Sequence, residues 1–171
     1  MMIGEAIKTA IAYEKKVHDS YVDAARRAKD ETAQKVFRTL AQEEMGHITH
    51  LESRLSEWQR TARLSPEKLN TVLPSAERVQ AGLARLRSQV SQRKAGHASE
   101  LESLRQALAA EDETASFYRQ MVRELPAEGQ DLFSRFLEIE EGHAAIVQAE
   151  IDSVNRLGYW FDLKEFDLEA G

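Results

Sequence analysis

Two copies of one spaced triplet constrain this chain more than any other feature. Glu14 is followed 30 residues later by Glu44, and His47 comes one helical turn after that. Glu111 is followed 29 residues later by Glu140, again with a histidine, His143, one turn on. Residues three apart share one face of an α-helix, so each E-x-x-H pair can present its two groups to a single point. Four carboxylates and two imidazoles on facing helices form the ligand set of a carboxylate-bridged two-metal centre inside a four-helix bundle.

The surrounding pattern predicts those helices. Over 3–28, Ile3, Ile7, Ala10, Ile11, Glu14, Val17, Tyr21 and Ala25 recur at steps of three or four, and the stripe is apolar except at Glu14. Over 31–62, Val36, Phe37, Leu40, Glu44, His47, Ile48, Leu51, Leu55 and Trp58 mark the inner side. The third helix, 97–124, carries Leu101, Leu104, Leu108, Glu111, Ala115, Tyr118 and Val122. The fourth, 127–156, carries Leu132, Phe133, Phe136, Glu140, His143, Val147 and Ile151, with Gly158 expected to end it. Between the hairpins, 63–96 reads as a long, partly helical crossover. Ser65-Pro66 has the form of an N-cap and first helical residue, so a short helix is expected there. A second is expected over about 76–93, with Val79, Leu83, Leu86 and Val90 as its stripe.

Hairpin arithmetic supports the pairing. Facing residues of an antiparallel pair are equidistant from their turn. The midpoint of Glu14 and Glu44 is Lys29, and that of Glu111 and Glu140 falls between Leu125 and Pro126. Each carboxylate then lies about 15 residues, or roughly 20 Å, from its turn, so all four can occupy one level. The halves also look like copies of one α-hairpin. Phe37 and Leu40 precede their E-x-x-H pair at the offsets of Phe133 and Phe136, and Tyr21 and Tyr118 each follow an upstream glutamate by seven residues.

Composition narrows the function classes. With 171 residues, 42% hydrophobic and 30% charged, the chain can build one sizeable core. Only 8 glycines and 3 prolines favour an all-α fold. A net charge of -6 gives no basic footprint for nucleic acid. The absence of cysteine excludes disulfides, thiolate metal sites and a thiol nucleophile. The opening MMIGEAIKTAIAYEKK lacks the basic leader of a signal peptide, and no apolar run is long enough for a membrane span. The expectation is a cytoplasmic protein with neither nucleic acid nor membrane as partner.

Burying a carboxylate is costly unless it is paired or bound to metal, and four on converging faces repel one another without cations. Glu44 and Glu140 are the natural bridging ligands, Glu14 and Glu111 the terminal ones, and His47 and His143 would each bind one metal. The mixed oxygen and nitrogen set suits iron or manganese, and zinc can occupy it. The spacing to histidine and the repeat favour Glu44 over Glu43 and Glu140 over Glu141. His18, one turn after Glu14, is a candidate partner of that ligand. His50 reads as packed or superficial and His97 as exposed. Tyr13, Tyr21 and Tyr118 are candidates to lie near the metals, while Asp112 and Glu113 point away.

The stretches Ala12–Tyr21, Leu40–Leu51, Ala110–Tyr118 and Phe136–His143 resemble the rubrerythrin-like branch of the ferritin-like di-iron carboxylate superfamily. That resemblance implies a single ferritin-like domain over 1–171: hairpins at about 3–62 and 97–157, a crossover at 63–96 and a tail at 158–171. It implies two iron ions, with Glu14, Glu44, Glu111 and Glu140 as the catalytic carboxylates, and His47 and His143 as the imidazole ligands. The implied activity is reduction of hydrogen peroxide or dioxygen. The chain lacks the four cysteines of a rubredoxin domain, so electrons would come from a separate donor protein. Thr114 stands where rubrerythrins carry a further carboxylate, which gives ground to the alternative of an iron-binding, ferroxidase or storage protein. A homodimer or higher homo-oligomer is expected. The aromatic and acidic tail, with Trp160 and Phe166, is expected to pack over the bundle or onto a partner subunit.

Overall fold

The computed structural model describes residues 1–86, 98–157, 160, 161 and 163. These residues form five helices and no strand: α1 (Ile3–Arg27), α2 (Glu31–Thr61), α3 (Ala76–Leu86), α4 (Ala98–Glu124) and α5 (Ala127–Leu157). Helices α1 and α2 form one hairpin and α4 and α5 the other; α1 packs on α4, and α3 lies on α5. The expected bundle of two hairpins joined by a partly helical crossover is therefore present.

Local chemistry fixes the turns. Asp30 caps α2, its carboxylate accepting from the Ala33 N–H at 3.0 Å. The same turn is held from the other hairpin: Glu100 accepts from the backbone N–H of Lys29 at 2.9 Å and of Asp30 at 3.4 Å. Proline ends the α4 segment, and the Pro126 carbonyl accepts from Gly129 and Gln130 to begin α5. The midpoints read from the sequence fall on these two turns.

One expected element is absent. Residues 63–75 carry no helix, and Ser65 does not cap one. Its hydroxyl instead accepts from Arg54 Nη1 at 2.6 Å and lies 3.3 Å from Glu57, while its N–H donates to Glu57 at 3.1 Å. Arg54 also pairs with Glu67 at 2.6 Å, and Arg135 of α5 donates to the Leu69 carbonyl at 2.9 Å. The strap's polar groups are thus satisfied by α2 and α5 rather than by a helical turn of its own. The second crossover helix starts as expected at Ala76; its continuation past 86, like His97, Gly158 and Phe166, lies outside the described residues.

The core divides in two. Val17, Tyr21, Leu40, Leu104 and Ile146 belong to one apolar cluster, and Ile7, Ile11, Leu51, Tyr118, Phe133 and Phe136 to the other. Trp160 joins the first, its ring edge-on to Phe37 with centroids 5.3 Å apart, so its surface is buried by the chain's own bundle. Between the clusters runs the layer that holds the candidate site.

Candidate metal centre

Each main helix contributes to that layer at its middle. Glu14 on α1, Glu44 on α2, Glu111 on α4 and Glu140 on α5 are completely buried, and His47 and His143 are 1% exposed. The neighbouring acids take other roles: Glu43 is half-buried and accepts from the Thr71 hydroxyl, and Glu141 pairs with Arg119 at 3.0 Å on the surface. Asp112 and Glu113 are exposed. His18 turns to Asp19 at 3.1 Å and stays outside the layer.

Both histidines direct Nδ1 at the carboxylates. His47 Nδ1 lies 3.2 Å from Glu14 Oε2, 3.2 Å from Glu44 Oε2 and 3.0 Å from Glu140 Oε1. His143 Nδ1 lies 2.7 Å from Glu44 Oε1, 3.7 Å from Glu140 Oε2 and 3.7 Å from Glu111 Oε1. Glu44 and Glu140 therefore each offer one oxygen to each imidazole. Glu14 faces only His47, and Glu111 only His143. The two rings stack 5.2 Å apart with planes 9° from parallel.

Two buried tyrosines cross between the hairpins. Tyr21 of α1 donates to Glu111 of α4, and Tyr118 of α4 donates to Glu14 of α1. Burial, followed by the adjacent carboxylates, raises both phenol pKa values well above normal, so both remain donors. The seven-residue spacing pointed to these tyrosines, but the exchange between hairpins requires the antiparallel packing of α1 against α4.

Electrostatics show what the layer lacks. Among the described residues, the ion-pair partners of the four carboxylates are His47 and His143 alone. Burial and the nearby Glu44 push Glu14 upward; burial, Glu140 and Glu44 do the same to Glu111. Glu140 is pushed up to about 8 by burial and by Glu44 and Glu14. Against the cost of its own burial, Glu44 is held below the usual carboxylate range by His47 and His143. Burial lowers the pKa of His47, but Glu44 and Glu140 override it and raise the imidazole.

The donor set fits a cation. Glu44 Oε2, Glu111 Oε2 and both Glu140 oxygens are buried without a hydrogen-bond partner among the described residues. Ligand atoms of Glu44, His47, Glu140 and His143 all lie within 4.8 Å of one another. An ion about 2.0–2.2 Å from each donor requires separations of up to about 4.4 Å, so the cluster can close on one with small adjustments.

The centre is screened by rings. Phe136 packs edge-on to His47 at 5.6 Å and touches Tyr118 at 5.5 Å. Beyond Phe136, a cavity of about 490 Å³ lies under the strap, bounded by His50, Arg54, Leu69 and Leu132. Tyr13 sits further out, stacked on Phe117 at 5.0 Å.

An all-α bundle with a buried cluster of two histidines and two glutamates is consistent with a ferritin-like metal-binding fold. Comparison of the chain with protein-family models, curated proteins and solved structures finds no match. Among the described residues, no helix is long and apolar enough to cross a membrane.

Proposed function

We propose that this chain is a non-haem di-iron oxidoreductase that reduces hydrogen peroxide or dioxygen with electrons from a separate donor protein. The carrying observation is the division of oxygens between the imidazoles. Glu44 and Glu140 offer one oxygen to each side, while Glu14 and Glu111 each serve one side. Two ions fit that division. One would be held by Glu14, Glu44, Glu140 and His47, the other by Glu111, Glu44, Glu140 and His143. Oxygen-rich donors with one imidazole per ion suit iron or manganese, and zinc can occupy them.

A bound ferrous pair would supply two electrons to an oxidant and Lewis acidity to hold its oxygens. The chain's own groups do the rest. Tyr21 and Tyr118 occupy Oε1 of Glu111 and of Glu14, leaving Glu111 Oε2 without a hydrogen-bond partner among the described residues and Glu14 Oε2 against His47 Nδ1, and both phenols carry protons close to the reacting region. With Nδ1 given to an ion, each neutral imidazole keeps its proton on Nε2. Phe136 and the two apolar clusters exclude bulk water.

A ferroxidase or storage role is the second reading, and Thr114 favours it. That side chain is completely buried and donates to the Ala110 carbonyl at 2.9 Å, so it supplies no further carboxylate on α4. Metal analysis after anaerobic reconstitution with ferrous iron, followed by stopped-flow oxidation, tests both readings. About two irons per chain, oxidised faster by peroxide, support the reductase. Faster oxidation by dioxygen supports a ferroxidase. No bound iron, or iron uptake unchanged by Glu44→Ala with Glu140→Ala, refutes the di-iron assignment.

A further inference from the structure

The outward face of α2 is unlike a solvated helix face. Steps of three and four along it lead through Gln42, Met45, Thr49, Ser53 and Ser56, all exposed and none charged. That stretch is about four turns of helix, in a chain that is 30% charged. The acids at its two edges are taken up by the chain itself: Glu52 pairs with Lys15 at 3.6 Å, and Glu43 accepts from the Thr71 hydroxyl. Charge returns at the ends of the face, with Glu31, Lys35 and Arg38 toward the N-terminus of α2 and Arg60 toward its C-terminus.

Two residues at the centre have no account within one copy of the fold. Met45 is 46% exposed, and among the described residues it is the one large apolar side chain so exposed inside a helix. Gly46 beside it sits mid-helix, where glycine is less favourable than alanine. Gly4, Gly129 and Gly142 each stand against another residue: a side-chain carbon would meet Trp58 at 2.9 Å, Leu125 at 2.9 Å and the Pro74 carbonyl at 3.1 Å. At Gly46 it would meet nothing within 4 Å. Beside Met45 the gap opens into a shallow groove of about 510 Å³, lined further by Thr49, His50, Ser53, Leu69 and Glu67, whose charge Arg54 meets at 2.6 Å.

We propose that this face is the interface between two copies of the chain, their α2 helices packed antiparallel about a two-fold axis between Met45 and Gly46. Each Met45 then lies over the glycine of the other copy, and the missing side chain lets the two backbones approach. Charge sets the direction and the register. Residues equidistant from the axis face each other across it, so Glu31 of each copy meets Arg60 of the other, while Lys35 and Arg38 meet Ser56 and Ser53. A parallel pair would stack Glu31, Lys35, Arg38 and Arg60 each on its like. An antiparallel axis one turn on, at Thr49, would bring Arg38 against Arg60. An uncharged centre with methionine and a charged rim is the anatomy of a protein interface. Glu44 and His47 lie on the buried side of the same helix, so the contact does not depend on what the polar layer holds.

Sedimentation equilibrium of the full chain over a range of concentrations tests this, read together with the melting temperature. A monomer–dimer equilibrium is expected. Met45→Glu places two carboxylates near the axis and should raise the dissociation constant about a hundred-fold or more. Gly46→Gln puts a helix-favouring side chain into space that is open in one copy and filled in two. It should raise the constant about ten-fold or more, while the variant melts no lower than the parent at concentrations where both are monomeric. Glu31→Arg or Arg60→Glu alone should weaken the dimer, and the double charge reversal should restore it. A chain that sediments as a monomer at about 0.1 mM, an assembly indifferent to Met45→Glu and Gly46→Gln, or a charge reversal that restores nothing would each overturn the proposal.

Discussion

The metal-free protein should lose stability as the pH rises from about 5 to about 8. Glu14 and Glu111, raised by burial and by neighbouring carboxylates, act in this direction, and so does Glu140. In the fold its carboxyl is pushed up from 4.5 to about 8 by burial and by Glu44 and Glu14. Between those values the folded chain binds a proton that the unfolded chain has released, so stability falls as pH rises. One group shifted that far accounts for roughly 5 kcal/mol across the window. His47, also raised, acts in the same direction: its stabilising charge is present below its ordinary pKa and is lost as pH climbs through the folded value. Glu44 is shifted downward, so its contribution is lost only as pH falls below the ordinary carboxylate range, outside this window. Shared protons within the cluster spread the slope over a wider range. For a chain of this size, a loss of roughly 5 kcal/mol lowers the melting temperature by about 10–20 °C. Differential scanning calorimetry of chelator-treated protein at several pH values measures it. Glu140→Gln should make the slope shallower, Glu14 and Glu111 still contributing to it, and should be more stable than the parent at about pH 8 without metal and less stable with it. Metal-loaded parent should show the opposite trend, because ligation needs deprotonated donors. A flat or rising profile in metal-free protein, or an unchanged slope in Glu140→Gln, would refute the reasoning.

Three further outcomes follow from individual contacts. Tyr118→Phe removes the donor to buried Glu14 and should cost the metal-loaded protein about 1–3 kcal/mol in urea unfolding, with Tyr21→Phe similar at Glu111; a cost near zero in both would mean that the phenols do not hold the carboxylates. Arg54→Ala cuts the ties to Ser65, Glu57 and Glu67 and should cost about 1–2 kcal/mol, given the exposure of Glu67. Limited proteolysis should then cleave within 63–75 faster than in the parent, and equal rates would count against the strap. Trp160→Ala empties a site against Phe37 and should cost about 3–5 kcal/mol by thermal unfolding, whereas a change below about 1 kcal/mol would place the ring outside the core.

The sequence made the helices and the polar layer legible because both rest on local periodicity. A glutamate on an otherwise apolar stripe, with histidine three residues on, marks helix, face and depth together. Burial of Glu44 and Glu140, with Glu43 and Glu141 turned outward, follows from that phase. The strap departs from the expected helix because Ser65-Pro66 is a genuine local signal overridden by distant partners, Arg54 and Glu57 on α2. Arg54 carried no mark of its own: an arginine two turns past His47 looks like a solvated residue until the crossover returns to it. The position of Gly142 beside the start of α3 was equally silent, since it depends on two segments far apart in the chain meeting.

The polar layer has a consequence for how the two hairpins hold together. Glu44 and His47 come from one hairpin, Glu140 and His143 from the other, and the tyrosine contacts also cross between them. Neither hairpin alone offers more than half of the cluster. An ion seated there acts as a rivet through the seam, and the work of pulling the hairpins apart includes the work of releasing it. Slow spreading of the seam would then set how fast metal leaves, so the dissociation rate of the ion would serve as a clock for the bundle's own opening.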